Sequence, residues 1–394
     1  MSENIVITGM ARTPMGGFQG ALAAATAPQL GAAAIEAAVA RSQLQGDAID
    51  EVIMGCVLPA GQGQAPARQA SLGGGLPLST GCTTINKMCG SGMKATMFAH
   101  DLLRAGVNRV MIAGGLESMT NAPYLLDKAR AGLRMGHGQV YDHMFLDGLE
   151  DAYDKGKLMG VFAENTADKY GFKREQQDEF AITSLRRAQA AIESGAFADE
   201  ITAVVLKTRK GEVTVETDEQ PFNANIDKIP GLRPAFRADG TVTAANSSSI
   251  SDGAAALVLM GESEAERRSL KPLAVIRAHA THAHEPEWFT TAPVGAISKV
   301  LEAANWSSDE VDLYEINEAF AVVTMAAMQD LGLDHERVNV NGGACALGHP
   351  IGASGARILV TLISALQRRG LKKGVAGLCI GGGEATAMAV ELLA

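Results

Sequence analysis

Four positions combine a reactive side chain with a backbone setting able to use it. Cys89 stands in Asn86-Lys87-Met88-Cys89-Gly90-Ser91-Gly92, at the start of a predicted helix. Partial positive charge at a helix N-terminus favours thiolate over thiol, and the glycines let a substrate approach the backbone. The same segment also reads as a buried cysteine at a helix entrance. His349 lies in Val340-Asn341-Gly342-Gly343-Ala344-Cys345-Ala346-Leu347-Gly348-His349-Pro350-Ile351-Gly352, on a loop just before another helix. A lone histidine is more often structural than basic, but one brought opposite Cys89 could activate its thiol. Cys379 ends an apolar strand in Leu378-Cys379-Ile380-Gly381-Gly382-Gly383, where alone it reads as a buried hydrophobe. No Lys-Ser/Thr follows these glycines, so they do not make a phosphate loop, and their bare N–H groups suit an oxyanion instead. Asn317 follows a predicted strand at 313–316. It is either a helix N-cap or an amide able to hold a water beside the histidine.

The elements that must position these residues come in two similar sets. In the first half a helix containing 34–39 and a loop at 47–50 lead to a strand at 52–54. In the second half a helix containing 296–301 and a loop at 309–312 lead to the strand at 313–316. Ser91-Gly92-Met93-Lys94 and Ser354-Gly355-Ala356-Arg357 each open a further helix. Apolar strands follow at 110–113 and 375–380, and each runs into a predicted glycine turn, Gly114-Gly115-Leu116-Glu117 and Gly381-Gly382-Gly383-Glu384. Such alternation predicts an α/β fold of duplicated βαβ halves with right-handed crossovers. The stretch from about 120 to 247 breaks the pattern. It carries a helix with Phe180, Ala181, Leu185, Ala188 and Ile192 on one face and a predicted hairpin around Lys210-Gly211. It reads as an insertion between the last helix of the first half and its final strand, predicted at 254–260. Long insertions at such points often bind or assemble. The boundaries are thus 1–119 completed by 248–270, an inserted loop domain at 120–247, and 271–394.

Composition narrows the partners. With 394 residues, two or three domains are expected at about 150 residues each. A formal net charge of −10 disfavours nucleic acid or an anionic membrane as partner. No apolar run reaches the roughly 18 residues of a membrane span, and the N-terminal segment lacks a signal-peptide pattern. The five cysteines are odd in number, widely spaced and without C-x-x-C, which points to a reducing compartment, a cytoplasmic location and no structural metal site.

Taken together, NKMCGSGMKA, EINEAFA, NGGACALGHPIGASGAR and CIGGGEATA stand in the order and spacing of the thiolases. Shorter segments, ARTPMG, GQAPARQ at 63–69, AGGLESM at 113–119 and NSSSISDGAAA at 246–256, extend the resemblance over essentially the whole chain. It is strongest to short-chain acetyl-CoA acetyltransferases. The resemblance implies a layered α-β-α-β-α core and reversible condensation of two acetyl-CoA to acetoacetyl-CoA and CoA. Cys89 would carry the acyl group, His349 would deprotonate it, and Cys379 would take the α-proton of the second acetyl-CoA. His349 and a water held by Asn317 would stabilise the enolate, and the N–H groups of Cys89 and Gly381 the second oxyanion. The pantetheine would pass Leu149, Met159, Phe236, Ser248, Ala319 and Phe320. No metal or separate cofactor is implied, coenzyme A being substrate and product. The insertion would cover coenzyme A and build a homotetramer, a dimer of dimers.

Three positions depart from the family pattern. Leu158 stands where short-chain members often have His, Pro221 falls where an arginine near the adenine is expected, and Ala385 replaces a glycine common after the glycine turn. Met159 implies a short, unbranched acyl chain. The rival readings are a degradative 3-ketoacyl-CoA thiolase with a wider pocket, a ketoacyl synthase, and an acyl-CoA binder without chemistry. Ketoacyl synthases lack a catalytic cysteine in the C-terminal glycine turn, so Cys379 disfavours them.

Overall fold

The computed structural model describes residues 3–209 and 211–393. Nine strands form the spine: β1 (Ile5–Arg12), β2 (Glu51–Gly55), β3 (Gly81–Ile85), β4 (Val110–Ser118), β5 (Ser251–Gly261), β6 (Ala274–Ala283), β7 (Leu313–Ile316), β8 (Lys373–Ile380) and β9 (Glu384–Leu392). The helices that cover them are α1 (Ala27–Arg41), α2 (Pro66–Gly73), α3 (Ser91–Arg104), α4 (Met159–Tyr170), α5 (Arg174–Glu193), α6 (Ala292–Ala304), α7 (Ala321–Leu331) and α8 (Ser354–Arg369).

The strand order is β7-β8-β9-β6-β1-β5-β4-β2-β3. β3, β2 and β4 run parallel, as do β7 and β8, while the remaining neighbours are antiparallel. The two half-sheets are joined by a short seam in which Ile5–Ile7 pairs with Ala274–Ile276. The halves match strand for strand except at one edge. The counterpart of β3 in the second half shrinks to a single bridge between Tyr314 and Val338.

α1 covers the outer face of the first half and α6 that of the second, while α3 and α8 pack against each other between the sheets. The five layers expected from the resemblance are therefore present. β1, β4 and β5 are buried along their whole length, as strands covered on both faces must be, which explains their apolar runs. The central core draws Met93, Met97 and Met111 from the first half together with Ile358, Leu362 and Met388 from the second.

Two sequence expectations need correction. Gly114 to Glu117 do not turn: they continue β4 to Ser118. A Cβ at Gly114 would lie 2.1 Å from the Ala255 carbonyl oxygen and one at Gly115 would lie 2.0 Å from that of Gly352. These glycines admit close backbone packing and leave the chain extended. Nor does the insertion follow a helix. It leaves after β4 and returns at β5, and these two strands pair directly, Ser118 opposite Asp252. The expected hairpin pairs Val204–Thr208 with Gly211–Val215, and Lys210 lies outside the described residues.

The insertion is fastened to the sheet by Arg12. Its buried guanidinium bonds Glu200 at 2.5 Å and Asp218 at 2.7 Å. Removing either carboxylate would leave a buried charge short of a partner, a loss of about 3–5 kcal/mol. Among the described residues no helix is long and apolar enough to cross a membrane.

Candidate active site

α3 and α8 begin with the same dipeptide, Ser91-Gly92 and Ser354-Gly355, and they meet there. A Cβ on Gly92 would lie 2.7 Å from the Ala356 nitrogen, and one on Gly355 would lie 2.4 Å from that of Met93. Only glycine lets the two N-termini come this close, and their approach brings Cys89 and His349 to one cavity.

Cys89 lies in a tight turn before α3. Ser91 Oγ donates to the Met88 carbonyl at 2.6 Å and accepts from the Lys87 N–H at 2.8 Å. Met88 takes φ of 47°, a left-handed conformation uncommon outside glycine. The Lys87 ammonium pairs with Glu384, which begins β9, so the nucleophile turn is tied to the glycine turn after β8. From that turn the backbone N–H of Gly381 reaches the Cys89 sulfur, as does the N–H of Cys89 itself. Gly382 and Gly383 take φ of 96° and 88°, which suits glycine.

The expected thiolate is not favoured. Burial pushes the Cys89 thiol up to about 11, although the two N–H donors pull the other way, and the charge of Glu117 adds to the rise. The helix terminus does not outweigh desolvation here. Burial also raises Cys379 well above the ordinary thiol range, and the nearby Cys89 adds to it. Both sulfurs are neutral thiols at rest.

His349 is buried. Ser354 Oγ donates its proton to the Pro350 carbonyl at 2.9 Å, so toward the ring it can only accept. It lies 2.5 Å from His349 Nδ1, which must therefore carry the ring hydrogen. Nε2 is then the free acceptor. It has no partner in the protein, and the histidine lines the same cavity as Cys89. Burial, helped by the charge of Arg357, lowers the imidazole to about 3, so the ring is neutral across physiological pH.

Asn317 follows β7 and stands behind the histidine, its amide nitrogen 3.5 Å from Nδ1. Arg357 points a guanidinium nitrogen at the Asn317 oxygen at 3.4 Å and pairs with Glu315 at 3.0 Å, all three residues being buried. Two further carboxylates hold the histidine loop. Glu318 accepts from Ser184, Asn339 and the Cys345 N–H. Glu117 accepts from the N–H groups of Val57, Leu58 and Gly352, and so joins the two halves beside the site.

The cavity measures about 380 Å³. Of the residues predicted from the sequence, Cys89, His349, Gly381, Leu149, Met159, Phe236, Ser248, Ala319 and Phe320 all line it. Cys379 and Asn317 do not. Cys379 is fully enclosed at the end of β8 in an apolar cluster with Phe162, Phe289 and Phe320. Pro221 is buried elsewhere, its carbonyl accepting from Gln189, so nothing at that position reaches the cavity. Ala385 lies in β9 opposite Cys379. Leu158, half-buried, supplies apolar wall. Among the described residues, no group of ligating side chains with metal-binding spacing is found at this cavity.

Sequence reasoning missed the supporting residues Ser354, Arg357, Glu117 and Glu318. A carboxylate in an otherwise apolar strand was the available signal for Glu117 and Glu315, because a charge so placed needs partners.

The arrangement is a thiol facing two backbone donors, with an imidazole acceptor at the same apolar cavity and a second thiol behind. That is a site for acyl transfer through a cysteine thioester. Residues 5–263 match the family model "Thiolase, N-terminal domain", and residues 270–392 match "Thiolase, C-terminal domain". An acetyl-CoA acetyltransferase of Escherichia coli K12 is 51% identical over 99% of this chain and 100% of its own length. Acetyl-CoA acetyltransferase 2 of Arabidopsis thaliana is 50% identical over 99% and 98%. The crystal structure of the Bacillus anthracis acetyl-CoA acetyltransferase superposes with a TM-score of 0.97 at 43% identity, covering 100% of this chain and 99% of that one. By both family models and by full-length likeness to these relatives, the chain belongs to the thiolase family.

Proposed function

We propose that the chain is an acetyl-CoA C-acetyltransferase that reversibly converts two acetyl-CoA to acetoacetyl-CoA and CoA. The observation that carries the reading is the meeting of the Cys89 sulfur, the Gly381 N–H and the bare His349 Nε2 at one cavity. The names of its relatives supply the substrate.

In the first half-reaction Nε2 takes the Cys89 proton as the sulfur attacks the acetyl carbonyl. The carbonyl oxygen becomes an oxyanion, which preorganised donors stabilise. Collapse releases CoA, whose thiolate takes the proton from His349, and leaves acetyl-Cys89. In the second, a new acetyl-CoA presents its methyl group, and Cys379, having passed its own proton to His349 Nε2, removes an α-proton as the thiolate. The enolate oxygen is held by the Nε2–H of the His349 so protonated and by a water on Asn317. The carbanion attacks acetyl-Cys89, its oxyanion is held by the N–H groups of Cys89 and Gly381, and collapse expels Cys89 thiolate and frees acetoacetyl-CoA. The Cys89 thiolate takes its proton from His349 Nε2, and Cys379 keeps the α-proton, which restores both thiols. Each oxyanion donor is worth about 10²–10³ in rate. Neither step calls for a cofactor beyond coenzyme A itself.

Leu149, Met159, Phe236, Ser248, Ala319 and Phe320 form the pantetheine passage, and Met159 and Leu158 limit the acyl chain. We also infer a homotetramer assembled through the insertion. Tyr124, Leu126, Leu133, Met135 and Val140 are exposed there, Met135 by 97%, and such a patch favours association. A reducing, cytoplasmic setting suits a reaction that depends on two free thiols.

The test is CoA-dependent cleavage of acetoacetyl-CoA beside longer 3-ketoacyl-CoA substrates. Cleavage confined to the four-carbon substrate is expected. Preference for longer chains would move the chain to the degradative class, and no cleavage by folded protein would sink the proposal.

A further inference from the structure

α3 starts beside Cys89, and eleven residues further along, about 16 Å at helical rise, it presents a second group of ligating atoms. His100 Nδ1 and His279 Nε2 each lie 2.9 Å from the same Asp101 oxygen, Oδ1. The two ring nitrogens are 3.2 Å apart. His100 and Asp101 belong to the last turns of α3 in the first half, and His279 to β6 in the second. Among the described residues this is the one His/Cys/Asp/Glu group gathered closely enough to hold a metal ion.

The triangle has the dimensions of one face of a coordination sphere. Zn²⁺ binds imidazole nitrogen and carboxylate oxygen at about 2.0–2.2 Å. Three atoms about 3.0 Å apart share a point about 2.1 Å from each, about 1.2 Å above their plane. The observed edges fit a facial octahedral arrangement, and a slight widening gives a tetrahedral one. The donors are two imidazoles and one carboxylate, a set suited to Zn²⁺ and its transition-metal neighbours and poorly matched to Ca²⁺ or Mg²⁺. The rings also stand edge to face, 4.8 Å between centroids at 87°. The Asp101 side chain is 54% exposed, which opens the remaining positions to water. The Arg104 charge one turn on weakens a dication without moving the donors.

We propose that His100, Asp101 and His279 form a binding site for a divalent transition ion of the Zn²⁺ class that clasps α3 of the first half to β6 of the second. The site lies outside the acyl-transfer cavity, and its occupancy changes the stability of the joint between the halves while leaving the chemistry untouched.

The test is titration of the full-length protein, Cys89 first alkylated, with ZnCl₂ by calorimetry and with CoCl₂ by visible absorption. The same titrations are run on His279→Gln and Asp101→Asn. We expect one equivalent bound, a cobalt spectrum without thiolate charge-transfer bands, and affinity lowered in either variant by at least the about 10–100-fold that even outer-sphere changes cost. Zinc should raise the melting temperature of the parent and leave that of His279→Gln unmoved. The unalkylated His279→Gln protein should keep its acyl-transfer activity, which separates a lost ligand from a lost fold. Unchanged affinity in both variants, thiolate bands in the cobalt spectrum, or no binding by the parent would each overturn the site.

Discussion

Ser91 and Ser354 occupy equivalent places, each opening a central helix and each followed by glycine, yet their hydroxyls serve different ends. Ser91 folds its bonds back onto Met88 and Lys87 and so shapes the turn that presents Cys89. Ser354 donates one turn back to Pro350 and uses its remaining acceptor on His349 Nδ1. Duplication thus gave two similar helix starts. One now fixes a nucleophile in space, and the other fixes the tautomer of a base. The difference comes from what precedes each serine: a cysteine two residues before in one half, a histidine five residues before in the other.

That comparison can be broken most severely at the base itself. His349→Ala should lower kcat for acetoacetyl-CoA cleavage by about 10³–10⁴-fold, since proton transfer and an oxyanion donor are lost together, with melting temperature near that of the parent. Retention of a tenth of the rate would contradict the assignment.

The serine pair sharpens it. In Ser354→Ala the ring hydrogen is free to move to Nε2, where it blocks the base. We expect kcat about 10–10²-fold lower with a displaced pH profile. Ser91→Ala removes a hydroxyl that shapes only the turn, so stability should fall by about 1–2 kcal/mol while the pH profile keeps its form. Matching pH profiles in the two variants would dissolve the distinction between them.

The smallest effect concerns the resting nucleophile. With the Cys89 thiol pushed up to about 11 and His349 held near 3, the pair rests as thiol and neutral imidazole. Below the thiol's pKa the thiolate fraction rises with pH, so alkylation by iodoacetamide should accelerate about tenfold per unit from pH 7 to 9. A plateau already reached near neutrality would instead indicate a thiolate–imidazolium pair.

Much of this was legible in the sequence because it rests on local pattern. The repeated helix starts, the apolar strands and the glycine turn at 381–383 all announce themselves within a few residues. So did Cys89 and His349 as a pair once the halves were taken to face each other. The missing parts depend on contacts between residues far apart. Glu117 meets Gly352 across the join, and Gly114 and Gly115 serve neighbours that only the assembled sheet provides. Periodicity could not separate a glycine turn from glycines in a crowded strand. The sign of the Cys89 shift was likewise missed, because helix position is visible in sequence and burial is not. Cys379 was placed beside the site, but its full enclosure was not foreseen.

The central claim is that two cysteines divide the work, Cys89 carrying the acyl group and Cys379 moving the proton. The most direct test is intact-mass analysis of Cys379→Ala after incubation with acetyl-CoA, alongside assay of acetoacetyl-CoA formation. Cys379→Ala should carry a single acetyl group on Cys89, stable until CoA is added, and yield no condensation product. Condensation at near-parental rate, or no acetylation of Cys89 in the folded variant, would contradict it.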